Sequence, residues 1–362
     1  MSSIRAVTPE DLPQVASLFE TVMRSGGRTP PPGLAAYFER TLLDQPWADS
    51  EIPSLVYEGD DGRILGFLGS HVRRLRFDGR PVRVGCPGQL VSDPGRRHHA
   101  AGALLMRRFL SGAQDLSVAE GTTSVRRMFE SLGGVALQSP SINWSKPLSP
   151  ARAFGDEWLE RSRRSWWKAA ARPVFATADL AATRFFSAMR IEEPSTQGEA
   201  LTPEALIEHF PLIDQGTRVI TDYSEAFLRW LFAEMAFVRT RGPLEARLVR
   251  DGDRVLGWYV AYMPPGDVGQ VMQIASTHTD LGAVIDHLFH HASRSRTVAL
   301  EGRLEPTLYE ALSGRRCLLR YGSRVLAHSR EPELLEAVLR GQAFLTRMDG
   351  EWWMGHQREP FA

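Results

Sequence analysis

The stretch Leu90–Arg107 reads LVSDPGRRHHAAGALLMR. An apolar run ends at Pro94, a short polar loop carries Arg96, Arg97, His98 and His99, and a helical pattern opens on small residues. A helix start presents backbone N–H groups without intrahelical acceptors, together with the positive end of the dipole. An anion, above all a diphosphate, is stabilised at such a start. Small residues let a ligand come close to the backbone, and Arg96 and Arg97 add positive charge. The residues that would build such a site are Leu90, Val91 and Ser92 on the strand, Arg97, His98 and His99 in the loop, and Ala100, Ala101, Gly102 and Ala103 on the first turn. His98 and His99 read either as phosphate ligands and bases or as ordinary polar loop residues. Cys86 has no base assigned to it and reads as a small buried side chain.

The elements around this segment alternate. Ile4–Val7 reads as a strand; Thr8, Pro9 and Asp11 then open a helix that runs to about Arg24. Ser25–Gly33 is a loop, and a second helix covers Leu34–Leu43. Ser54–Tyr57 and Ile64–Val72 flank Gly59-Asp60-Asp61-Gly62, and Leu75–Phe77 and Pro81–Gly85 flank Asp78-Gly79, both hairpin signals. Gln89–Ser92 is a further strand, followed by a helix over about Ala100–Ser111, a strand at Leu116–Glu120 and a helix at Val125–Leu132. That order is α/β with a mixed sheet.

The chain has 362 residues, enough for two domains. Lys plus Arg equals Asp plus Glu at 43 each, so no net field selects nucleic acid or an anionic membrane as partner. Arg152–Arg172 is locally basic and holds Trp158, Trp166 and Trp167; it reads as an amphipathic connector helix rather than a nucleic-acid arm. Two distant cysteines, Cys86 and Cys317, fit a reducing, cytoplasmic setting. The pairs His98–His99 and His290–His291 are sequence neighbours whose side chains diverge on any regular element, so no metal site is expected. The N-terminus shows no signal stretch, and no apolar run is long enough to span a membrane.

The second half echoes the first. Arg63-Ile64-Leu65-Gly66-Phe67 returns as Arg254-Val255-Leu256-Gly257-Trp258. At offsets of 180 or 181, Gly88-Gln89 returns as Gly269-Gln270, Gly102-Ala103 as Gly282-Ala283, Glu120-Gly121 as Glu301-Gly302, and Phe129–Gly133 as Tyr309–Ser313. An internal duplication follows. The expected boundaries are a first domain at 1–148, a partly helical connector at 149–198 and a degenerate copy at 199–362.

The Leu90–Arg107 segment resembles the acyl-CoA-binding motif of the GNAT (N-acetyltransferase) superfamily, with Arg97 at the leading position, Gly102 at the last and Pro94 three residues ahead of the Arg. The rest of residues 1–145 resembles the superfamily order. Two tandem GNAT-like domains are implied, each a mixed, mostly antiparallel sheet flanked by helices. The middle glycine of the motif is Ala100 here, and His98 stands where glycine is frequent. In the second copy Ala275–Asp280 replaces the phosphate loop, lacks the Arg, and puts Asp280 at the helix start as an N-cap that would repel a diphosphate.

The resemblance implies acetyl-CoA or another acyl-CoA as donor substrate, without a metal, bound by the first copy. The thioester carbonyl would lie against a backbone donor within Gln89–Ser92, and a neutral amine of a small-molecule acceptor would attack it in a ternary complex. Glu120 is the candidate general base. The family's tyrosine acid is replaced by Phe129, which has no proton to give, while the second copy offers Tyr309. Two other readings remain at this point. One is a GNAT-fold protein without catalysis that senses a ligand or a partner. The other is a transferase that takes its acyl or aminoacyl group from a carrier other than free coenzyme A.

Overall fold

The structure, a computed structural model, describes residues 3–24, 29–95, 100–149, 191–213, 217–350 and 359–361. Arg96, Arg97, His98 and His99, much of the Ser25–Gly33 loop and nearly all of the expected 149–198 connector, with its three tryptophans, lie outside the described residues.

The chain opens with β1 (Ser3–Ala6) and α1 (Leu12–Phe19), entered through a capping box between Thr8 and Asp11. Next come α2 (Pro32–Phe38), β2 (Leu55–Glu58), β3 (Ile64–Phe77) and β4 (Arg80–Ser92). Both helices widen into a π-type turn, Glu20–Arg24 and Glu39–Leu43. Then follow α3 (Ala101–Leu110), β5 (Leu116–Gly121), α4 (Thr123–Ser131), β6 (Val135–Leu137) and β7 (Ile142–Pro147). The remainder runs β8 (Gln197–Ala200), α5 (Pro203–His209), β9 (Val219–Thr221), α6 (Glu225–Phe237), β10 (Leu244–Asp251), β11 (Arg254–Tyr262) and β12 (Val268–Ser276). It ends with α7 (Leu281–Arg294), β13 (Ala299–Arg303), α8 (Leu308–Leu312), β14 (Leu318–Tyr321), β15 (Arg324–Ser329), α9 (Pro332–Leu339) and β16 (Ala343–Phe344).

The four strands expected between Leu75 and Ser92 and at Ile64–Val72 are two long ones. β3 and β4 form one hairpin whose Asp78-Gly79 turn has φ of 49° and 80°, the left-handed pair that a two-residue hairpin turn requires. β3 is buried without a break over residues 64–73 and β4 over residues 84–89, so the period-2 alternation by which strands are read is absent there.

The chain divides into two compact units. One holds Met1–Ser141, Asp214–Thr240 and Gly322–Ala362; the other holds Ile142–Ile213 and Arg241–Tyr321. This division does not run along 148 and 198, because the two units trade segments. In the first unit the sheet order is β1-β2-β3-β4-β5-β15-β6, with β9 on β3 and β16 on β9. In the second it is β14-β7-β13-β12-β11-β10-β8. Strand β15, late in the chain, lies between β5 and β6 and is antiparallel to both. Strand β7, early in the chain, lies between β13 and β14 in the same manner. Each half thus completes the sheet of the other, in equivalent places.

The duplication is visible in this architecture, but the residue matches at 180 or 181 are not the structural ones. Gly66 pairs with Ser92 and Gly257 with Ser276; Val84 pairs with Leu116 and Val268 with Ala299. The true offsets are therefore 184 on β4 and 183 on β5. At 183 the buried face of α3, Ala101, Leu105, Met106 and Phe109, falls on Val284, Leu288, Phe289 and Ala292 of α7, all buried. Gln89 then answers to Gln273, Glu120 to Arg303 and Phe129 to Leu312. Tyr309 answers to Arg126, one helical turn from Phe129.

Candidate functional site

In the first unit β4 and β5 run parallel, joined through α3. Their ladder comprises only Val84↔Leu116 and Gly85↔Ser117, although β4 continues to Ser92 and β5 to Gly121. Beyond that point the two strands are no longer paired with each other. Gly85 marks the start: a Cβ there would stand 2.8 Å from the Phe109 ring and 3.1 Å from Ile52. Carboxyl ends of parallel strands are where α/β sheets place ligands. β4 also carries a bulge, since Phe67 pairs with Val91 and Gly69 with Gly88, so Gln89 and Leu90 stand against Leu68 alone.

Helix α3 begins beside this opening. Its N-cap is Ala100, which supplies no side-chain cap, so by helix geometry the first-turn N–H groups of Ala101, Gly102 and Ala103 lack intrahelical acceptors. Gly102 looks toward the end of β4. A Cβ on it would meet only Leu90 Cδ1 and Ser92 Oγ, each at 3.9 Å, so room remains before the backbone. The opposite face of the helix buries Leu105, Met106, Phe109 and Leu110 against Ile52, Leu55, Leu68 and Val72, which holds the helix start in place. Arg107 and Arg108 sit in the last turn, where cations suit the dipole. The structure thus brings Leu90, Val91, Ser92, Ala100, Ala101, Gly102 and Ala103 together; Arg97, His98 and His99 lie outside the described residues.

The corresponding helix start in the second unit is filled by the chain's own groups. Asp280 is the N-cap of α7, but its carboxylate does not cap the backbone. It accepts instead from Arg254 Nη1 at 2.8 Å and Thr277 Oγ1 at 3.0 Å. Arg315 lies over Gly282, donating to its carbonyl at 3.1 Å and to both oxygens of Asp286 at 2.7 Å. The Asp286 hydrogen bond raises the Arg315 guanidinium further above its ordinary range.

The candidate base and acid belong to different units. Glu120 ends β5 in the first unit, half-buried and opposite Val325 of β15. Tyr309 lies on the short helix α8 of the second unit with 62% of its surface exposed. Phe129 is fully buried, its ring edge-on to His328 at 6.4 Å. Cys86 is buried and Cys317 half-buried, both as free thiols. Among the described residues no three His, Cys, Asp or Glu side chains gather in a way that could hold a metal ion. Also among them, no helix is long and apolar enough to cross a membrane.

Sequence reasoning missed two buried groups beside the bulge. His71 of β3, wholly buried, donates from Nε2 to Gln89 Oε1 at 2.8 Å. In the second unit Trp258 Nε1 donates to Gln273 Oε1 at 2.8 Å. A buried amide in each copy at the same strand position was readable only with the correct offset.

No protein-family profile matches the chain, and no curated protein is similar to it in sequence. Solved structures do share its fold. A GCN5-related N-acetyltransferase from Anabaena variabilis superposes with a TM-score of 0.60 at 12% identity, over 92% of this chain and 74% of that one. Another from Kribbella flavida gives 0.55 at 14% identity, over 91% and 72%. The Saccharomyces cerevisiae N-myristoyltransferase, solved with bound myristoyl-CoA and inhibitors, gives 0.52 at 11% identity, over 90% and 79%. The chain therefore shares its fold with these N-acetyltransferases and the N-myristoyltransferase, two mixed α/β sheets flanked by helices.

Proposed function

We propose that the protein is an acyl-CoA-dependent N-acyltransferase whose donor substrate binds the first unit. The observation that carries this reading is the end of the β4–β5 pairing beside the uncapped start of α3. An extended thioester fits between parallel strands that no longer pair, and a diphosphate fits free amide hydrogens at a helix start. The Arg97 motif and the fold neighbours, one of them solved with an acyl-CoA, support the same donor class. The second unit, its helix start closed by Asp280 and Arg315, takes no donor.

The chemistry asked of the protein is positioning and charge stabilisation. The bulge at Gln89 and Leu90 turns backbone toward the thioester carbonyl. A neutral amine forms the new C–N bond as the C–S bond breaks; its proton passes to Glu120, directly or through water, and the thiolate leaves. The acceptor is the amine of a small molecule and the acyl group is acetyl or short. The free thiols fit a reducing compartment such as the cytoplasm.

One observation favours a second reading, a GNAT-fold module that binds an acyl-CoA without turnover. Phe129 occupies the helix position of the family's acid, fully buried and without a hydroxyl. Release of free thiol from acetyl-CoA across a panel of small amines separates the two. Turnover with at least one amine supports the enzyme; binding without thiol release from any of them supports the module.

A further inference from the structure

Gln89 has a φ of +47° and is buried, which puts a side chain with no preference for left-handed backbone into that region. Such a conformation persists only where its surroundings over-determine it. Two neighbours on β3 do so. His71 Nε2 donates to Gln89 Oε1 at 2.8 Å. Gly69 leaves the space that amide occupies, since a Cβ on Gly69 would lie 2.4 Å from Gln89 Oε1. The second unit has the same buried amide, Gln273, but it is held by Trp258 and has no left-handed φ. The structural counterpart of Gly69 there is Val260, directly paired with Gln273. The left-handed bulge is thus confined to the unit whose helix start is open.

We propose that His71 is a positioning residue for acyl transfer: it locks the Gln89 amide and so holds the β4 bulge in the one conformation that turns its backbone toward the acyl carbonyl. This inference rests on the acyl-CoA reading of the same site. His71 acts through Gln89 and does not itself touch the substrate. Gly69 and His71 form one device with Gln89, the first by its missing side chain and the second by its ring N–H.

The test separates the acyl group from the rest of the donor. Coenzyme A and acetyl-CoA share the diphosphate and the pantetheine amides, and only acetyl-CoA adds a thioester carbonyl for the bulge to meet. The readout is the ratio of their dissociation constants, measured by calorimetry on the full chain. His71→Phe keeps the ring volume and removes the donor. It is expected to leave coenzyme A affinity within about twofold while lowering the acetyl-CoA preference about five- to tenfold, the worth of one net hydrogen bond. Gly69→Ala, which pushes the Gln89 amide off His71 and leaves the imidazole in place, is expected to do the same. In a Gln89→Gly background, where glycine takes the left-handed conformation unaided, adding His71→Phe should change the ratio less than about twofold. An unchanged ratio in both His71→Phe and Gly69→Ala overturns the proposal, as does a full His71→Phe loss in the Gln89→Gly background. If the unaltered chain binds neither thiol nor thioester, the acyl-CoA reading falls and takes this inference with it.

Discussion

At the start of α3 the three residues Ala101, Gly102 and Ala103 offer their amide hydrogens beside the end of β4, and Arg97 stands four residues before Ala101 in the sequence. On the proposed reading, Arg97→Glu sets a negative charge against the donor's phosphates. Arg97→Glu is expected to abolish stabilisation of the protein by coenzyme A in a thermal melt. Asp280→Ala removes a partner from the exposed Arg254 ion pair of the second unit. It should cost less than about 1 kcal/mol of stability and leave the coenzyme A response intact; loss of that response would move the site to the second unit. A different residue cluster governs acid stability. On α7, His287 and His291 both meet the buried Tyr259 hydroxyl, at 3.1 and 2.7 Å, with Glu245 and Arg247 beside them. Burial pushes His287 down to about 4, with His291 and His290 adding to the effect. The folded state therefore prefers His287 neutral, while the unfolded chain protonates it near 6.5. The contribution of His287 to stability is complete above about 6.5 and is lost as the pH falls toward 4. Denaturant melts should show a lower midpoint at pH 5 than at pH 7, and His287→Asn should flatten that difference.

At the scale of elements the exchange of β7 and β15 makes each sheet depend on a strand from the other half of the chain. A fragment of residues 1–148 lacks β15, leaving β5 and β6 without the strand that joins them. Such a fragment should show no cooperative unfolding by circular dichroism; a cooperative transition would contradict the exchanged topology. Trp144 of β7 is fully buried in the core of the second unit and donates to the Arg303 carbonyl at 3.1 Å. Trp144→Ala should cost about 3–5 kcal/mol, read from the urea midpoint. The four helices of the first 145 residues and the turn of the β3–β4 hairpin were legible in the sequence because local chemistry marks them: Thr8 and Asp11 at a helix start, Asp78-Gly79 at a turn, small residues opening α3. The exchange was not, because β6, β7, β14 and β15 are short and their pairing is set by partners far away in sequence. The repeat was legible as a pattern but misplaced in detail. Glycines and acidic residues recur at strand ends and turns often enough to match by identity at 181, while burial and ladder register align the copies at 183 and 184. The same slip set Tyr309 opposite Phe129, a position that belongs to Leu312.

For the whole molecule, the proposed reading of a duplication with one uncapped and one occupied helix start is a single donor site per chain. The first unit keeps its helix start uncapped and its bulge strained; the second fills the equivalent place with Asp280 and Arg315. That Leu90–Ser92 and Ala100–Ala103 would be neighbours was readable from one segment, because the strand end and the helix start lie close in sequence. The contribution of β3, through His71 and Gly69, was not readable, since a long buried strand gives no sign of which residue meets a bulge on its neighbour. Calorimetric titration of the full chain with acetyl-CoA decides whether the first unit holds the donor. Saturable binding of one acetyl-CoA per chain, lost on Arg97→Glu, is expected; no binding, or two equivalent sites, overturns the proposed function.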